Sequence, residues 1–422
     1  MAGARTPTGL PRLAYLYHPT SFPTFALSAA AEGRCEMIWV IDHTIPEMED
    51  MTRLLARLGT VVDIGEMDDR QAAGAIGEHE PAGILTLADA RLTTTARLAE
   101  LLGLPFFSSE TARALTDKFA QREALANAGL PVPRYAVVPS LEDAAGWERL
   151  GTEAVFPAVL KPRVGEGSRD TFRVESLKEA RVLAEQSEAE RPGRPLVLEE
   201  YLRDAPGVVR QGFGGYVSVE CVVSRGVVCP VAITGRFPPA EPFRETGFFI
   251  PAALDEDLAS AVIDAADRSA RALAITQGCL HIEIKLTPDG PRVIEVNGRL
   301  GGGMSEMLTI AAGIDLYPVA LRLALGEDVR FSGLARCAQV GWLLYVHAPW
   351  AMHEVTALAG IDALANWPEV NEVVVNRGAG GKVDWREGNH GHVFSVLGAA
   401  RDHDELLELE RRVHEEVRID GI

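Results

Sequence analysis

The stretch VIEVNGRLGGG, residues 293–303, decides the fold prediction for this chain. Within it, Glu295, Asn297 and Arg299 are spaced two apart, and three glycines close the stretch. Residues two apart on a β-strand lie on the same face, so an acid, an amide and a guanidinium share one face of an otherwise apolar strand. A purely structural strand usually places valines or solvated lysines there. The pattern therefore indicates a functional face.

The preceding stretch, CLHIEIKL at residues 279–286, also alternates polar with apolar side chains. The turn-forming sequence TPDGP at 287–291 joins the two stretches, which predicts a β-hairpin. If the hairpin folds symmetrically about Asp289, Glu283 lies opposite Glu295.

Two carboxylates that face each other across a hairpin repel, and a divalent cation between them would remove the conflict. The same register places His281 opposite Asn297, whose amide oxygen suits a hard ion such as Mg²⁺. The alternative is a solvated hairpin face with a different register.

Composition excludes several classes of function. The chain has 422 residues, with 47% hydrophobic and 24% charged residues, which is enough for two or three soluble domains. A net charge of −19 disfavours nucleic acid as a partner. The sequence shows neither the h-region of a signal peptide nor a membrane-spanning apolar run, so we expect no membrane association. Five scattered cysteines without a C-x-x-C pair favour the reducing cytoplasm over a disulfide framework or a zinc site.

Three regions follow one another along the chain. Residues 1–115 alternate short apolar runs with helical patterns, which predicts an open parallel sheet. Residues 116–336 change in character. Residues 337–422 have the pattern of a small α+β cap. The predicted strands of the first region are LAYLYHP (13–19), EMIWVID (36–42), TVVDIG (60–65) and GILTLAD (83–89).

A glycine-containing loop follows a short apolar strand in FPAVLKPRVGEGSRD, residues 156–170. Lys161 ends the strand, and Gly165, Gly167 and Ser168 lie in the loop, where backbone N–H groups can approach phosphate oxygens. The lysine precedes the glycines, so this is not a Walker A loop, and Asp170 stands where the dinucleotide fingerprint needs its third glycine. A plain surface turn fits the same residues.

Two further sequence segments carry candidate functional residues, in addition to the hairpin and the glycine-containing loop. LVLEEYLRD, residues 196–204, ends a strand with Glu199, Glu200, Tyr201 and Leu202, and could be a strand that simply runs into a loop. Lys118 lies at a predicted helix start, where the helix dipole disfavours a cation. Such a lysine is either solvated or directed at an anion.

Taken in their order along the chain, Lys118, the glycine-containing loop, LVLEEYLRD and the hairpin resemble the ATP-grasp superfamily. Within it they resemble the carboxylate–amine ligases, such as L-amino acid ligases and dipeptide synthetases. The resemblance implies an ATP-grasp fold with α/β and α+β parts: a pre-ATP-grasp domain at 1–115, an ATP-grasp domain at 116–336 with a lid at about 150–205, and a cap at 337–422. It also implies ATP and Mg²⁺ (or Mn²⁺) as cofactors.

The resemblance assigns roles to individual residues. The magnesium ligands would be Glu283, Glu295 and Asn297. Arg299 would face the transferred phosphoryl group. The ATP-binding residues would be Lys118 and Lys161 at the phosphates, Gly165, Gly167 and Ser168 in a closing loop, and Glu199, Tyr201 and Leu202 at the adenine.

An E-x-G element in GRFPPAEPFRETGFFIPAAL, residues 235–254, resembles the amino-acid ligase branch. By that resemblance Glu245 would neutralise a substrate ammonium group, whereas an exposed acid is the alternative. Two positions depart from the family pattern. Tyr216 stands where a ribose-binding glutamate is common, with Glu220 as a substitute, and Phe248 stands where some relatives have a histidine.

We therefore expect a cytoplasmic ATP-dependent ligase that joins an amino acid, through its acyl phosphate, to an amine from an amino acid or a short peptide. An ATP-dependent carboxylase of the biotin carboxylase kind is one alternative, and a non-catalytic nucleotide-binding protein is another. The three glycines Gly301, Gly302 and Gly303 fit either a close approach to substrate or a tight turn. The resemblance is also compatible with a homodimer.

Overall fold

The structure is a computed structural model, and it describes residues 9–20, 24–46 and 48–422. Residues 1–8, part of the N-terminal stretch in which the sequence shows no signal-peptide h-region, lie outside these residues. The described chain forms a four-stranded parallel sheet, a four-stranded lid sheet, a large eight-stranded sheet and a two-stranded ribbon. This combination confirms the predicted fold class, with its α/β and α+β parts.

The N-terminal parallel sheet has the strand order β3-β2-β1-β4, and β1 pairs in parallel with both β2 and β4. The four predicted strands are therefore confirmed, although the last ends well before residue 89. The strands are β1 (Arg12–Leu16), β2 (Glu36–Ile41), β3 (Thr60–Asp63) and β4 (Gly83–Leu85). The helices are α1 (Thr24–Ala31), α2 (Met48–Leu58), α3 (Asp69–Gly77) and α4 (Leu92–Leu102).

Two helices lead out of this unit, and the lid follows them. The helices are α5 (Ser109–Thr116) and α6 (Lys118–Asn127). The lid strands are β5 (Tyr135–Val137), β6 (Ala158–Pro162), β7 (Phe172–Val174) and β8 (Leu196–Glu200), and its helices are α7 (Ala144–Glu153) and α8 (Leu177–Glu190). The lid sheet is antiparallel in the order β5-β8-β6-β7, and both lid helices bury apolar residues against it. The glycine-containing loop joins β6 to β7.

The remaining strands are β9 (Tyr216–Ser224), β10 (Val227–Arg236), β11 (Gly247–Ile250), β12 (Gly278–Thr287), β13 (Gly290–Asn297), β14 (Val340–His347), β15 (Val355–Ala359), β16 (Val370–Val375), β17 (His392–Ala400) and β18 (Arg418–Gly421). The helices are α9 (Glu256–Ala272), α10 (Met304–Ala312), α11 (Leu316–Ala324), α12 (Ile361–Leu364) and α13 (His403–Glu416). The large antiparallel sheet runs β13-β12-β9-β10-β11-β14-β17-β16, so three strands after residue 336 continue it, while β15 and β18 form the ribbon.

The hairpin β12–β13 has the register predicted at its functional end but not at its turn. Glu283 pairs with Glu295 and His281 with Asn297, as expected. Next to the turn, however, Thr287 pairs with Gly290, which is offset by one residue from symmetry about Asp289. A β-bulge between Glu283 and Ile284 accounts for the difference, since one extra residue in β13 restores the pairing.

Within the described residues, no single helix is long and apolar enough to cross a membrane, and one bent helix pair, α10 with α11, meets the length and composition test jointly.

Candidate active site

A cavity of about 600 Å³ lies where the lid, the large sheet and the N-terminal sheet meet. All thirteen site residues proposed from the sequence line it: Lys118, Lys161, Gly165, Gly167, Ser168, Glu199, Tyr201, Leu202, Glu245, Glu283, Glu295, Asn297 and Arg299. The individual roles given to them stay predictions, but the chain folds so that these distant segments share one space.

Lys118 is the first residue of α6, and its side chain is directed at an anion. Asp117 caps the helix by accepting from the Phe119 and Ala120 N–H groups, which fixes the backbone at Lys118. The Lys118 ammonium donates to Glu295 Oε1 and to the Gly165 carbonyl oxygen, both at 2.8 Å. Burial lowers the pKa of Lys118, but the Glu295 carboxylate outweighs that effect and raises it overall. The lysine therefore stays charged beside the lid loop.

Lys161 lies at the end of β6, and Glu199 lies on the neighbouring strand β8. The Lys161 ammonium is 2.8 Å from Glu199 Oε2, and Arg122 Nη2 is 3.1 Å from the same oxygen. The two cations overcome the burial of Glu199 and lower its pKa to about 2, whereas burial lowers the pKa of Lys161. Arg122 was not identified as a site residue from the sequence, because nothing in a helical pattern distinguishes a fully buried arginine from an exposed one.

The adenine-binding residues predicted at the end of β8 also lie at the cavity. Glu199 Oε1 is buried and has no hydrogen-bond partner among the described residues. An acceptor of this kind suits the amino group of an adenine. The Tyr201 N–H donates to the Pro157 carbonyl oxygen at 3.1 Å, so Tyr201 would contact a base through its carbonyl or its ring. Leu202 follows it on the cavity wall.

The lid loop closes over the cavity with a backbone that favours glycine. Gly167 has φ of +66°, and a Cβ there would lie 2.9 Å from His390 Nε2. Ser168 and Asp170 also have positive φ values, of +56° and +55°. The absence of a side chain at Gly167 lets the loop backbone approach phosphate oxygens closely.

The paired acids of the hairpin face the cavity next to a charged histidine. His281 Nδ1 lies 2.9 Å from Glu220 Oε1, and His281 Nε2 lies 3.6 Å from Glu283 Oε1. Burial lowers the pKa of His281, but Glu220 raises it to about 9. The positive His281 in turn offsets burial at Glu283, whose pKa falls to about 2. Glu220 is buried beside His281 and is not among the residues that line the cavity, and its suggested contact with a ribose stays a prediction.

The donor set of this face fits a magnesium or manganese ion. Glu283 and Glu295 supply carboxylates, and Asn297 donates its Nδ2 to the His281 carbonyl oxygen at 3.4 Å, which leaves its Oδ1 available. Among the described residues, no three His, Cys, Asp or Glu side chains form a metal site by themselves. Two acids with one amide suit an ion that completes its shell with water and phosphate oxygens.

Arg299 extends from the end of β13 to the N-terminal sheet. Its Nε and Nη2 lie 2.8 Å and 2.7 Å from Asp89 Oδ2. Asp89 follows β4, and its other oxygen, Oδ1, is buried with no partner in the described part of the chain. Asp89 was missed from the sequence, although residues after the carboxyl ends of parallel strands often line sites.

Glu245 precedes β11, and three donors hold its carboxylate. Tyr216 Oη donates to Oε1 at 3.1 Å, Arg236 Nε lies 3.3 Å from the same oxygen, and Asn389 Nδ2 donates to Oε2 at 2.6 Å. Burial raises the pKa of Glu245 despite the opposing charge of Arg236. Tyr216, which departs from the family pattern, therefore supports Glu245. Phe248 lies beneath Arg236, with its ring centroid 4.4 Å from the guanidinium carbon.

The triple glycine serves both purposes suggested from the sequence. A Cβ at Gly303, where φ is +70°, would collide with Leu343, so this position belongs to the tight turn before α10. A Cβ at Gly302 would meet only the Tyr345 hydroxyl oxygen, at 3.9 Å, so this position borders open cavity. The cavity wall also includes Asn389, His390 and His392 from the C-terminal region, for which the sequence pattern predicted only a small α+β cap.

Comparison with known proteins agrees with this geometry. Residues 154–307 match the family model of the ATP-grasp domain. The chain is 32% identical over 286 residues to uncharacterized protein y4rH of Sinorhizobium fredii, which covers 64% of this chain and 56% of that protein. It is 28% identical over 303 residues to alanine–anticapsin ligase of Bacillus subtilis, which covers 68% of this chain and 59% of that protein. The chain thus spans little more than half the length of these relatives.

The crystal structure of L-amino acid ligase from Bacillus licheniformis has the same architecture. It superposes with a TM-score of 0.78 at 21% sequence identity, over 98% of this chain and 99% of that chain. At this identity the likeness concerns the fold. Together with the family match, it shows that this chain has the ATP-grasp fold and carries an ATP-grasp domain.

Proposed function

We propose that this chain is an ATP-dependent carboxylate–amine ligase, which joins an amino acid to an amine from a second amino acid or a short peptide and releases ADP and phosphate. The observation that carries the proposal is the meeting of Lys118, Lys161, Arg299 and the acid pair of β12–β13 in one cavity that also contains Glu245. The names of the similar alanine–anticapsin ligase and L-amino acid ligase support it.

ATP would lie between the lid and the large sheet. Lys118 and Lys161 would contact its phosphates, since Lys118 begins α6, Lys161 lies near the end of β6, and both side chains line the cavity. The lid loop with Gly165, Gly167 and Ser168 would cover the phosphates. Glu199, with its unpaired Oε1, would accept from the adenine amino group.

Glu283, Glu295 and Asn297 would hold the divalent cation. When bound, the ion would neutralise charge on the phosphate groups during transfer. The protein's own part is to keep Glu283 ionised, which His281 does by lowering the pKa of that carboxyl.

The chemistry needs two displacements. A substrate carboxylate oxygen attacks the γ-phosphorus of ATP, the bond to the β,γ-bridging oxygen breaks, and ADP leaves. The amine nitrogen then attacks the acyl carbon of the acyl phosphate, the C–O bond to phosphate breaks, and an amide forms. Arg299, held by Asp89, would bind the phosphoryl oxygens through both displacements. The departing phosphate can take the proton that the nitrogen loses.

Glu245 would face the ammonium group of the amino acid. Arg236 and Tyr216 occupy Oε1, so this contact would use the free lone pair of Oε2. Phe248 offers no proton acceptor. The attacking amine of the second substrate would therefore enter as the neutral base rather than lose its proton to a histidine at this position.

The test is ADP and phosphate release from the purified protein with Mg-ATP and pooled amino acids, with product masses measured in parallel. Amino-acid-dependent ADP release with a product mass equal to two substrates minus water is expected. Bicarbonate-dependent ADP release would support the carboxylase alternative and refute the ligase. Nucleotide binding without turnover under any pool would support the non-catalytic alternative. The cytoplasmic location, the homodimer and the domain limits at 115 and 336 stay predictions.

A further inference from the structure

A C-terminal segment packs directly on the lid loop. This segment, Trp385–Gly391, is a 3₁₀-helical stretch between β16 and β17. The Asn389 N–H donates to the Gly167 carbonyl oxygen at 2.9 Å, and the Trp385 ring packs edge-on against Phe172 of the lid at 6.2 Å. Gly388, with φ of +63°, allows the approach, because a Cβ there would collide with the same Gly167 carbonyl.

Both polar atoms of the Asn389 side chain are hydrogen-bonded to a single residue, Glu245. Its Oδ1 accepts from the Glu245 N–H at 2.8 Å, and its Nδ2 donates to Glu245 Oε2 at 2.6 Å. The amide therefore fixes both the backbone and the carboxylate of Glu245, while its own backbone is fixed by the lid loop. No other described residue has a hydrogen bond to both the lid loop and Glu245.

We infer that Asn389 is a positioning residue that couples closure of the lid loop to the orientation of Glu245. The inference rests on the proposed function, since it gives Glu245 a substrate to face. When the loop moves away, Asn389 loses its backbone partner, and the hydrogen bonds that set Glu245 Oε2 lose their support. The amino-acid subsite is therefore complete only while the lid covers the phosphates.

This coupling protects the intermediate. Water that attacks an acyl phosphate returns the carboxylate and releases phosphate, so ATP is consumed without an amide. If the ammonium group of the acyl donor is aligned by Glu245 only under a closed lid, each acyl phosphate forms in an ordered position within a site that excludes water. Loss of the coupling should therefore increase phosphate release per amide formed.

The first experiment compares Asn389→Ala with the wild type under the ligase assay. We expect KM for the amino acid to rise about 10-fold, which corresponds to loss of a hydrogen bond to a charged group. We expect KM for ATP to change less than about 2-fold, since Asn389 contacts no proposed nucleotide ligand side chain. The ratio of phosphate to amide should rise above that of the wild type, a readout that general loss of stability would not move.

Two further variants are compared with Asn389→Ala. Asn389→Asp keeps an acceptor for the Glu245 N–H but sets a second carboxylate against Oε2, so it should uncouple more strongly than the alanine variant. Asn366→Ala is the control, because Asn366 is an exposed amide in the same region that donates only to the Asp362 carbonyl oxygen. An Asn389→Ala protein with the KM and the phosphate-to-amide ratio of Asn366→Ala would overturn the inference.

A second measurement uses the wild-type chain, so it remains informative if the variants fail to fold. It also does not require catalysis. Hydrogen exchange of the wild-type chain is followed with and without a non-hydrolysable ATP analogue, in peptides that cover 163–171, 244–247 and 385–391. Joint protection of all three is expected. Protection of the lid peptide alone would overturn the inference, whereas absence of ligation by the wild type would overturn the proposed function and leave this measurement valid.

Discussion

Asp89 and Arg299, 210 residues apart in the chain, form an ion pair through a single carboxylate oxygen: Nε donates a hydrogen bond to Asp89 Oδ2 at 2.8 Å, and Nη2 lies 2.7 Å from the same oxygen. Asp89 belongs to the turn after a parallel strand, and Arg299 follows the hairpin β12–β13. The N-terminal sheet thus fixes the guanidinium that we assign to the transferred phosphoryl group.

Asp89→Asn is expected to lower kcat/KM by about 100-fold, because a displaced guanidinium no longer matches the phosphoryl oxygens. The measurement is steady-state ADP release at matched protein stability. Asp42→Asn is the matched control, since Asp42 pairs with Arg91 at 3.2 Å in the same unit but does not line the cavity. Equal kcat/KM values for the two variants would contradict a role for Asp89 in holding Arg299.

Glu295→Gln is expected to leave nucleotide binding detectable and to reduce turnover to background. The amide can still accept from Lys118, but it removes one negative charge from the proposed metal site. Binding is followed by calorimetry and turnover by ADP release. Asp289→Asn changes an exposed acid at the turn of the same hairpin and should behave as the wild type. Normal turnover by Glu295→Gln would remove this residue from the metal site.

Removal of divalent ions with a chelator is expected to abolish ADP release. Readdition of Mg²⁺ or Mn²⁺ in excess should restore it, because the two acids and the amide of the hairpin are hard oxygen ligands. Nucleotide hydrolysis that persists at full rate in the chelator would show that the acids serve another purpose.

Gly167→Ala is expected to raise KM for ATP. At φ of +66° an alanine costs about 1–2 kcal/mol, and its Cβ would lie 2.9 Å from His390 Nε2. If that cost falls on the closed lid, nucleotide affinity drops by about 5- to 30-fold. Gly193→Ala is the control, because φ is +74° there and nothing lies within 4 Å of the added Cβ. If both variants bind ATP equally well, the loop does not close on the nucleotide.

Glu199→Gln is expected to destabilise the chain at neutral pH and much less in acid. The folded pKa of about 2 lies below the ordinary value of 4.5, so the stabilisation is complete above about pH 4.5 and is lost as the pH falls through about 2. The shift corresponds to about 3 kcal/mol. Denaturant unfolding of both proteins at several pH values measures this difference. A constant difference between pH 7 and pH 3 would contradict the charge-based origin.

The local sequence pattern was sufficient to predict the hairpin and to identify many of the residues that line the candidate site. The alternation in β12 and β13, with a turn sequence between them, placed Glu283 opposite Glu295, because side-chain period and turn chemistry are short-range properties. The order of Lys118, the glycine loop and Glu199 along the chain was enough to suggest a shared fold. The actual register at the turn depends on a bulge, which the pattern did not reveal.

Contacts between distant segments could not be predicted in this way. Arg122 was not identified because its burial depends on Glu199, 77 residues later, and Asn389 because its partner Glu245 is 144 residues earlier. Glu220 was considered for the ribose, yet its carboxylate is buried and bound by Ser218, Thr234 and His281, contacts that the pattern of a single strand does not reveal.

The sequence by itself determined the fold class, the acid-bearing hairpin and the residue types of the candidate nucleotide site, since these depend on residue type and on spacing within single elements. Only the tertiary structure decided which groups hold Arg299 and Glu245 in place. Asp89 and Asn389 reach them from opposite ends of the chain, and the closure of the lid and the packing of three sheets bring them within hydrogen-bonding distance.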